Sequence, residues 1–181
     1  MIIIMGLPGA GKSTVLDRVK QLQPDYNFKN YGDLMFEIEK EKYGIKHRDE
    51  MRKIPVEDQK KVQKMVVERL AKEKGKFVLD THCSINTTKG YLPGLSMDLL
   101  NKAKIDALVL ITTDPKDILE RRSSDKSRKR DDESAQDISD HDNMNRAFLV
   151  SYSTITGAPA VIVYNRNGRL EEAVKKLNAI F

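Results

Sequence analysis

The segment with the clearest chemistry is a glycine-rich octapeptide near the start of the chain. Residues 6–13 read Gly-Leu-Pro-Gly-Ala-Gly-Lys-Ser and match the pattern G-x-x-x-x-G-K-[ST]. Glycines allow backbone N–H groups to turn toward phosphate oxygens, and a helix starting near Lys12 directs its positive end at the same anion. The Lys12 ammonium can bridge terminal phosphates, and the Ser13 hydroxyl can bind Mg²⁺. The pattern therefore predicts a Walker A loop that binds a nucleotide.

A single carboxylate is expected close to this loop. Asp80 follows the apolar run Phe77–Leu79, which predicts a buried strand ending at Asp80. An acidic residue there can approach a nucleotide-bound metal ion through water, as a Walker B aspartate does. The alternative is that Asp80 caps the turn that follows.

Arginines are concentrated in a polar stretch in the second half of the chain. Two of them, Arg121 and Arg122, directly precede residues 123–134, and two more, Arg128 and Arg130, lie within that stretch. A mobile lid could close guanidinium groups onto the equatorial oxygens of a transferring phosphoryl group. The alternative is a solvated loop, in which these arginines pair with the aspartates that lie among them.

Other cationic side chains could hold an acceptor. Arg48 and Arg52 lie four residues apart, so an α-helix would place them on one face, unless they simply pair with neighbouring acidic residues. His82 follows Asp80 and could contact the acceptor or hydrogen-bond to a loop. Arg146 could point at the phosphates or form a surface ion pair. The three histidines show no spacing typical of a protein-built metal site.

The elements that must position these residues alternate between strands and helices. Asp33 is expected to cap the second helix, Pro55 to open the third, and Gly75 to end it. Strands are predicted over residues 1–5, 27–31, 77–80, 105–112 and 161–164, and helices over 12–22, 34–43, 55–75, 115–122, 138–155 and 170–180. Alternation of this kind predicts an α/β fold with a parallel five-stranded sheet, helices on both faces and ligands at the carboxyl ends of the strands.

Length and composition are those of one globular domain. The chain has 181 residues, with 39% hydrophobic and 33% charged residues. The net charge of +5 comes from 32 basic and 27 acidic residues that are interleaved, so a nucleic-acid partner is not expected. The apolar run at residues 2–5 is too short for a membrane span or a signal segment. The lone Cys83 fits a reducing compartment, and we predict a cytoplasmic protein.

The chemistry favours a phosphate acceptor over a hydroxyl acceptor. A hydroxyl acceptor usually needs an aspartate base beside it, and the chain has no H-R-D-type motif. A nucleoside monophosphate is already an oxyanion at neutral pH, so it needs cations and alignment. The arginines at the expected loop and cleft positions suit a phosphotransferase that acts on a monophosphate such as AMP.

The chain resembles the archaeal-type adenylate kinases almost from end to end. Besides residues 6–14, the matching blocks are Asn30-Tyr31-Gly32-Asp33, Arg48-Asp49-Glu50-Met51-Arg52-Lys53, Asp80-Thr81-His82, Gly90-Tyr91-Leu92-Pro93-Gly94-Leu95, Arg121-Arg122 through Arg128-Lys129-Arg130-Asp131, and Met144-Asn145-Arg146-Ala147. The Walker A loop is shared by many families, whereas the Arg48 block and the Gly90 block are much narrower signals.

This resemblance implies a P-loop NTPase fold with a short, zinc-free lid and the reversible reaction of ATP and AMP to two ADP with Mg²⁺. It implies one kinase domain with a monophosphate-binding region at about 31–75, a lid at about 121–134 and assembly into a homotrimer. The implied ATP-binding residues are Gly6, Leu7, Pro8, Gly9, Ala10, Gly11, Lys12, Ser13 and Thr14. The implied AMP-binding residues are Gly32, Asp33, Arg48, Arg52 and His82; the catalytic residues are Lys12, Arg121, Arg128 and Arg130; and the metal-binding residues are Ser13 and Asp80. Residues 165–168 would border the ATP adenine.

Two other functions compete with this interpretation. One is a P-loop kinase for a different small acceptor, such as CMP, UMP or a sugar. The other is a nucleotide-gated, RNA-associated binding protein, which the positive charge suggests. Guanine-nucleotide switches usually carry N-K-x-D, but the Asn-Lys pair at residues 101–102 continues as Ala-Lys.

Overall fold

Five parallel strands form the central sheet in the computed structural model, which describes residues 1–124 and 133–181. Their order in space is β2-β3-β1-β6-β7. The strands are β1 (Ile2–Gly6), β2 (Asn27–Asn30), β3 (Phe77–Asp80), β6 (Ala107–Thr112) and β7 (Ala160–Tyr164). The predicted parallel five-stranded sheet is confirmed, and its strands begin or end within two residues of the predicted bounds.

Helices cover both faces of this sheet, as predicted. They are α1 (Lys12–Leu22), α2 (Tyr31–Tyr43), α3 (Val56–Ala71), α4 (Met97–Lys102), α5 (Pro115–Ser124), α6 (Ala135–Thr156) and α7 (Leu170–Asn178). Among the described residues, no helix has both the length and the apolar character that crossing a membrane requires.

Alternation along β1 divides the core into two layers. Ile3 and Met5 pack with buried residues of α2, α3, α4 and α6 on one face of the sheet. Ile2 and Ile4 pack with buried residues of α1 and α7 on the other face. Successive side chains of a strand point to opposite faces, so a strand that is apolar throughout requires helices on both sides.

The second helix begins earlier than predicted because a different residue caps it. Asn30 is the N-cap, and its side-chain oxygen accepts a hydrogen bond from the backbone N–H of Asp33 at 3.1 Å. Asp33 therefore lies in the first turn, where its charge favours the positive end of the helix. The prediction that Asp33 caps this helix was wrong, since both residue types are good caps and only the backbone decides between them.

The segment that carries Arg48 and Arg52 is a 3₁₀ helix, Arg48–Lys53, and not an α-helix. A 3₁₀ helix has 3.0 residues per turn, so positions three apart share a face and positions four apart do not. The geometric reason for placing these two arginines on one face therefore fails. The described structure includes the backbone of Arg52 but not its side chain.

A short antiparallel hairpin follows β3 and was not predicted. It consists of β4 (Ser84–Thr87) and β5 (Gly90–Pro93), so the segment from Gly90 to Leu95 is mostly a strand. The turn is closed by the Thr87 hydroxyl, which donates to the Gly90 carbonyl at 2.7 Å. Strands of four residues that are mostly exposed carry little hydrophobic periodicity, which explains why the sequence pattern did not reveal them.

Candidate active site

The loop between β1 and α1 has the geometry of a phosphate-binding loop. Gly9 and Gly11 have φ values of 93° and 78°, a region that side chains disfavour. The backbone N–H of Ala10 donates to the Leu7 carbonyl at 3.1 Å, which closes the turn. The loop then enters α1 at Lys12, so the positive end of this helix lies at the loop, as the sequence predicted.

Asn165, just after β7, fastens this loop to the neighbouring strand end. Its side chain is only about 5% exposed, and its Nδ2 donates to the Ala10 carbonyl at 2.9 Å. A Cβ atom at Gly11 would collide with the same Nδ2, so the glycine leaves room for this contact. The family resemblance predicts only that residues 165–168 border the adenine. No local pattern indicates this clamp, which joins residues more than 150 positions apart.

Arg121 of α5 contacts the phosphate-binding loop. Its guanidinium donates to the Ala10 carbonyl at 3.1 Å, to the Asn165 carbonyl at 2.8 Å and to Asn167 Oδ1 at 2.7 Å. Arg121 thus ties α5 to both the phosphate-binding loop and the loop after β7. In this conformation its guanidinium is occupied by protein oxygens.

Arg122 binds the same loop from a second side. Its Nε and Nη2 donate to the Pro8 carbonyl at 3.0 and 2.8 Å, and its Nη1 forms an ion pair with Glu133. Arg128 and Arg130, the other two arginines assigned to the lid, lie outside the described residues. Their roles remain predictions.

The Lys12 ammonium points across the cleft to the end of β3. It forms an ion pair with Asp80 and donates to the Thr81 carbonyl at 2.6 Å. The two side chains are about 12% and 20% exposed, so this pair is sheltered from solvent but faces the cleft. The second oxygen of Asp80 accepts a hydrogen bond from Asn30 Nδ2 at 3.0 Å.

The donor groups around this pair suit Mg²⁺ held with a nucleotide. Ser13 and Asp80 both line the cleft, and together they offer one hydroxyl and one carboxylate. Mg²⁺ commonly binds through one or two protein oxygens while phosphates and water supply the remaining ligands. The predicted metal residues therefore fit the ion chemically.

One large cleft joins the loop to the beginning of α2. Its volume is about 1190 Å³, which exceeds the range of about 300–1,000 Å³ typical of small-molecule sites. Its walls include all the predicted ATP-binding residues except Ala10, together with Gly32, Arg48, Asp80 and His82. The cleft therefore extends from the phosphate-binding loop to the start of α2, and its volume leaves room for a second ligand beside loop-bound phosphates.

At the far end of the cleft, Arg48 lies against the first turn of α2. Its Nη2 is 3.0 Å from Asp33 Oδ1, and a Cβ atom on Gly32 would lie only 2.7 Å from the same nitrogen. The glycine therefore permits the guanidinium to approach the backbone. The structure brings together Gly32, Asp33 and Arg48, three of the five residues predicted to bind AMP.

His82 lies on the cleft wall between the two ends. Its surroundings lower the pKa of His82, first because the protein replaces water around the ring and then because the Lys12 ammonium is close. A neutral imidazole at pH 7 can donate one hydrogen bond and accept another.

Tyr152 fixes the wall that carries His82. Its hydroxyl donates to the Cys83 carbonyl at 2.8 Å and accepts from the backbone N–H groups of Gly94 and Leu95 at 3.0 and 3.4 Å. Burial raises the pKa of Tyr152 to about 12, so the hydroxyl keeps its proton. Tyr152 falls within the predicted helix over 138–155, but no local pattern indicates these partners.

Arg146 forms the ion pair that was one of its two predicted alternatives. Its Nε and Nη2 lie 2.9 and 2.8 Å from Asp142 Oδ2, while Asp142 Oδ1 accepts from the Thr112 hydroxyl at 2.6 Å. This network connects α6 to the end of β6. In this conformation Arg146 is directed to protein groups.

Comparison with known sequences identifies similar proteins along the whole chain. Residues 5–139 match a family model described as an AAA domain. The chain is 44% identical to the adenylate kinase of Methanopyrus kandleri, covering 97% of this chain and 94% of that protein. It is 46% identical to the adenylate kinase of Pyrobaculum aerophilum, covering 94% and 86%, and 42% identical to that of Methanothermobacter thermautotrophicus, covering 99% and 98%.

Solved structures with the same fold include two shikimate kinases. The protein from Acinetobacter baumannii, in complex with shikimate, gives a TM-score of 0.61 at 19% identity over 99% of this chain and 91% of that chain. The protein from Bacteroides thetaiotaomicron gives a TM-score of 0.58 at 15% identity over 99% and 96%. At such identities the likeness supports the fold and says nothing about the acceptor.

Proposed function

The chain belongs to the adenylate kinase family, and we infer that it transfers a phosphoryl group reversibly from ATP to AMP, giving two ADP. The observation that carries this conclusion is a single cleft with a phosphate-binding loop at one end and, at the other, Gly32 and the Arg48 side chain that pairs with Asp33. Two phosphate-bearing ligands in such a cleft would meet end to end, as in-line transfer requires.

Lys12 has the central role at the donor end. When ATP binds, its ammonium leaves Asp80 for the terminal phosphates, where it neutralises charge as the phosphoryl group moves. Backbone N–H groups of residues 6–14, a range in which only Pro8 has none, hold the remaining phosphate oxygens. Mg²⁺, when bound with ATP through Ser13 and a water on Asp80, would supply further positive charge to those oxygens.

The acceptor end binds AMP through cations and needs no general base. Arg48 and neutral His82 face the cleft, and Arg52 belongs to the same short helix as Arg48. The phosphate of AMP is already a nucleophilic oxyanion, so holding it in line is the main requirement. Arg128 and Arg130 are proposed as lid residues that approach the transferring phosphoryl group. Arg121 is proposed as the lid arginine at the start of this segment.

We also infer that the protein is a cytoplasmic homotrimer of single-domain subunits. The trimer and the division into a monophosphate-binding region at about 31–75 and a lid at about 121–134 rest on the family resemblance. The compartment is supported by Cys83, the only cysteine of the chain, which is buried as a free thiol. Measuring the molar mass in solution by light scattering tests the trimer.

The direct test is an assay with ATP, Mg²⁺ and AMP in which ADP formation is followed by chromatography. AMP should be the preferred acceptor over CMP, UMP and a sugar, and diadenosine pentaphosphate should inhibit by occupying both ends of the cleft. Lys12→Ala should reduce turnover by two or more orders of magnitude, as the loss of a transition-state charge does, while Lys20→Ala, an exposed lysine of α1, should not. No ADP from the wild-type protein, or full activity of Lys12→Ala, would contradict the proposal.

A further inference from the structure

Asn30 occupies a position that connects the two ends of the cleft. It is the last residue of β2, and in the parallel pairing of β2 with β3 its partner is Asp80. It is also the residue that caps α2, the helix that begins with the acceptor residues Gly32 and Asp33. Asn30 therefore belongs to the sheet edge and to the acceptor helix at once.

The two functional atoms of the Asn30 side chain serve different elements. Its Oδ1 accepts from the backbone N–H of Asp33 at 3.1 Å, which fixes the first turn of α2. Its Nδ2 donates to Asp80 Oδ2 at 3.0 Å. The other oxygen of Asp80 is bound by the Lys12 ammonium, so an unbroken series of polar contacts leads from Lys12 through Asp80 and Asn30 to α2.

Donor binding must change one contact of this series. This step rests on the proposed function, in which Lys12 binds the donor phosphates and therefore leaves Asp80. An ammonium in a direct ion pair withdraws more charge from a carboxylate than a hydrogen-bonded water does. Replacing Lys12 by water therefore makes Asp80 a stronger acceptor for the N–H of Asn30. The bond that holds the first turn of α2 against β3 then becomes stronger.

We propose that Asn30 is a positioning residue that couples the two substrates, because it transmits the state of Lys12 and Asp80 to the acceptor helix. ATP bound at the loop steadies the start of α2, and with it the backbone of Gly32 and Asp33. AMP binding then requires a smaller loss of conformational entropy at the start of α2. Such coupling is reciprocal, so AMP must tighten the binding of ATP by the same factor.

The test measures AMP affinity by calorimetry, with and without a saturating non-hydrolysable ATP analogue and Mg²⁺. In the wild-type protein the analogue should tighten AMP binding by about fivefold or more. Asn30→Ser retains a good capping residue but is too short to reach Asp80, so its ratio of affinities should approach one. Asn30→Ala loses both contacts, and should lose the coupling and also lower the melting temperature.

Kinetics separate this role from a general structural one. At saturating ATP and AMP, kcat of Asn30→Ser should stay within about threefold of the wild type, because no group that touches the phosphates is removed. Its KM for AMP should rise at saturating ATP, because bound ATP no longer tightens the binding of AMP.

The outcomes distinguish this inference from the proposed function. If the wild-type protein makes no ADP from ATP and AMP, the function itself is wrong. If it makes ADP but the analogue leaves AMP affinity unchanged or weakens it, or if Asn30→Ser keeps the wild-type ratio, only the coupling through Asn30 is wrong. Loss of coupling in Asn30→Ala alone would assign the effect to the helix cap and would also overturn the inference.

Discussion

At the scale of single residues, the cleft is notable for how its cations are occupied. Lys12 is held by Asp80, Arg48 by Asp33, and Arg121 by backbone carbonyls. Each cation is thereby positioned before substrates bind; in the proposed function, each must exchange a protein oxygen for a phosphate oxygen. Exchange of this kind costs least where the protein partner is exposed, because water has already weakened the ion pair.

Arg48→Ala should raise KM for AMP by about tenfold, with KM for ATP changed little. The exposed pair with Asp33 contributes little to stability, whereas a charge-assisted bond to a phosphate contributes about 1.5–3 kcal/mol. Steady-state kinetics with each substrate varied in turn measure both constants. Arg69→Ala is the matched control, because Arg69 pairs with Glu37 at 2.8 Å and is not among the residues that line the cleft. Equal values for the two variants would show that Arg48 does not contact AMP.

At the scale of elements, the cleft wall that carries His82 depends on a backbone crossing between the segment after β3 and the end of the hairpin. A Cβ atom at Gly94 would collide with the His82 carbonyl, so the two backbones touch there. Tyr152 of α6 fastens this crossing with three hydrogen bonds, and Cys83 Sγ lies 3.2 Å from the Asn145 carbonyl of the same helix. Helix α6 thus fixes the position of this cleft wall.

Tyr152→Phe should lower the free energy of unfolding by about 1–3 kcal/mol, since backbone groups near Gly94 lose their buried partner. It should also expose Cys83 more often. Burial raises the pKa of the Cys83 thiol to about 12, so a thiol reagent at pH 8 reacts slowly in the wild type and should react faster in the variant. Urea titration and the rate of thiol modification are the measurements.

Tyr164→Phe is the control for this comparison, because the Tyr164 side chain is exposed and its hydroxyl contacts only Arg146 among the described residues. Identical stability and thiol reactivity in the two variants would contradict a fastening role for Tyr152.

Helix α2 contains a buried carboxylate whose charge opposes folding. Glu39 has no exposed surface, and neither of its oxygens has a hydrogen-bond partner among the described residues. Burial raises the pKa of Glu39 above its usual 4.5. Folding then favours the protonated acid, so its contribution to stability is complete below pH 4.5 and is lost as the pH rises through the raised pKa.

Glu39→Gln should therefore be more stable than the wild type at pH 8, and the difference should shrink toward pH 4. Thermal unfolding across this pH range measures it. Glu37→Gln, which changes an exposed carboxylate on the same helix, should show no comparable trend. A difference that is constant with pH would mean that Glu39 does not titrate as the structure implies.

At the scale of the whole molecule, a parallel sheet brings distant segments to one edge. Gly6, Asn30, Asp80, Thr112 and Asn165 are at or next to the carboxyl ends of the five strands, and all take part in the cleft or in the contacts that support it. The proposed donor and acceptor groups therefore share one edge of the sheet, while α2 and α5 attach to it after β2 and β6.

Diadenosine pentaphosphate should raise the melting temperature strongly, because one molecule would occupy both ends of the cleft. At about 1,000 times its dissociation constant, a ligand adds about 4 kcal/mol, which corresponds to about 10 °C for a protein of this size. Differential scanning fluorimetry measures the shift. Lys12→Ala should lose most of it and Lys20→Ala should keep it; equal shifts in both variants would remove Lys12 from ligand binding.

The sequence by itself determined the local features of this protein. The octapeptide at residues 6–13, the apolar runs of β1 and β6, and the glycines after α2 and α6 predicted the loop, the parallel sheet and most helix ends correctly. Such patterns can be recognised in the sequence because each depends on neighbouring residues: backbone freedom, side-chain periodicity and capping act over a few positions. The similarity to adenylate kinases can be recognised for the same reason, since it lies in short runs of consecutive residues.

Only the tertiary structure decided which distant groups meet. The pairing of Lys12 with Asp80, the link from Asp80 to Asn30, the Asn165 clamp and the Tyr152 crossing join residues 50 to 155 positions apart. These contacts follow from the strand order β2-β3-β1-β6-β7, which is set by the packing of helices on both faces and not by local preference. The 3₁₀ helix at Arg48 and the short hairpin were missed for a related reason: their conformations are selected by surrounding contacts, because their own residues favour no single structure.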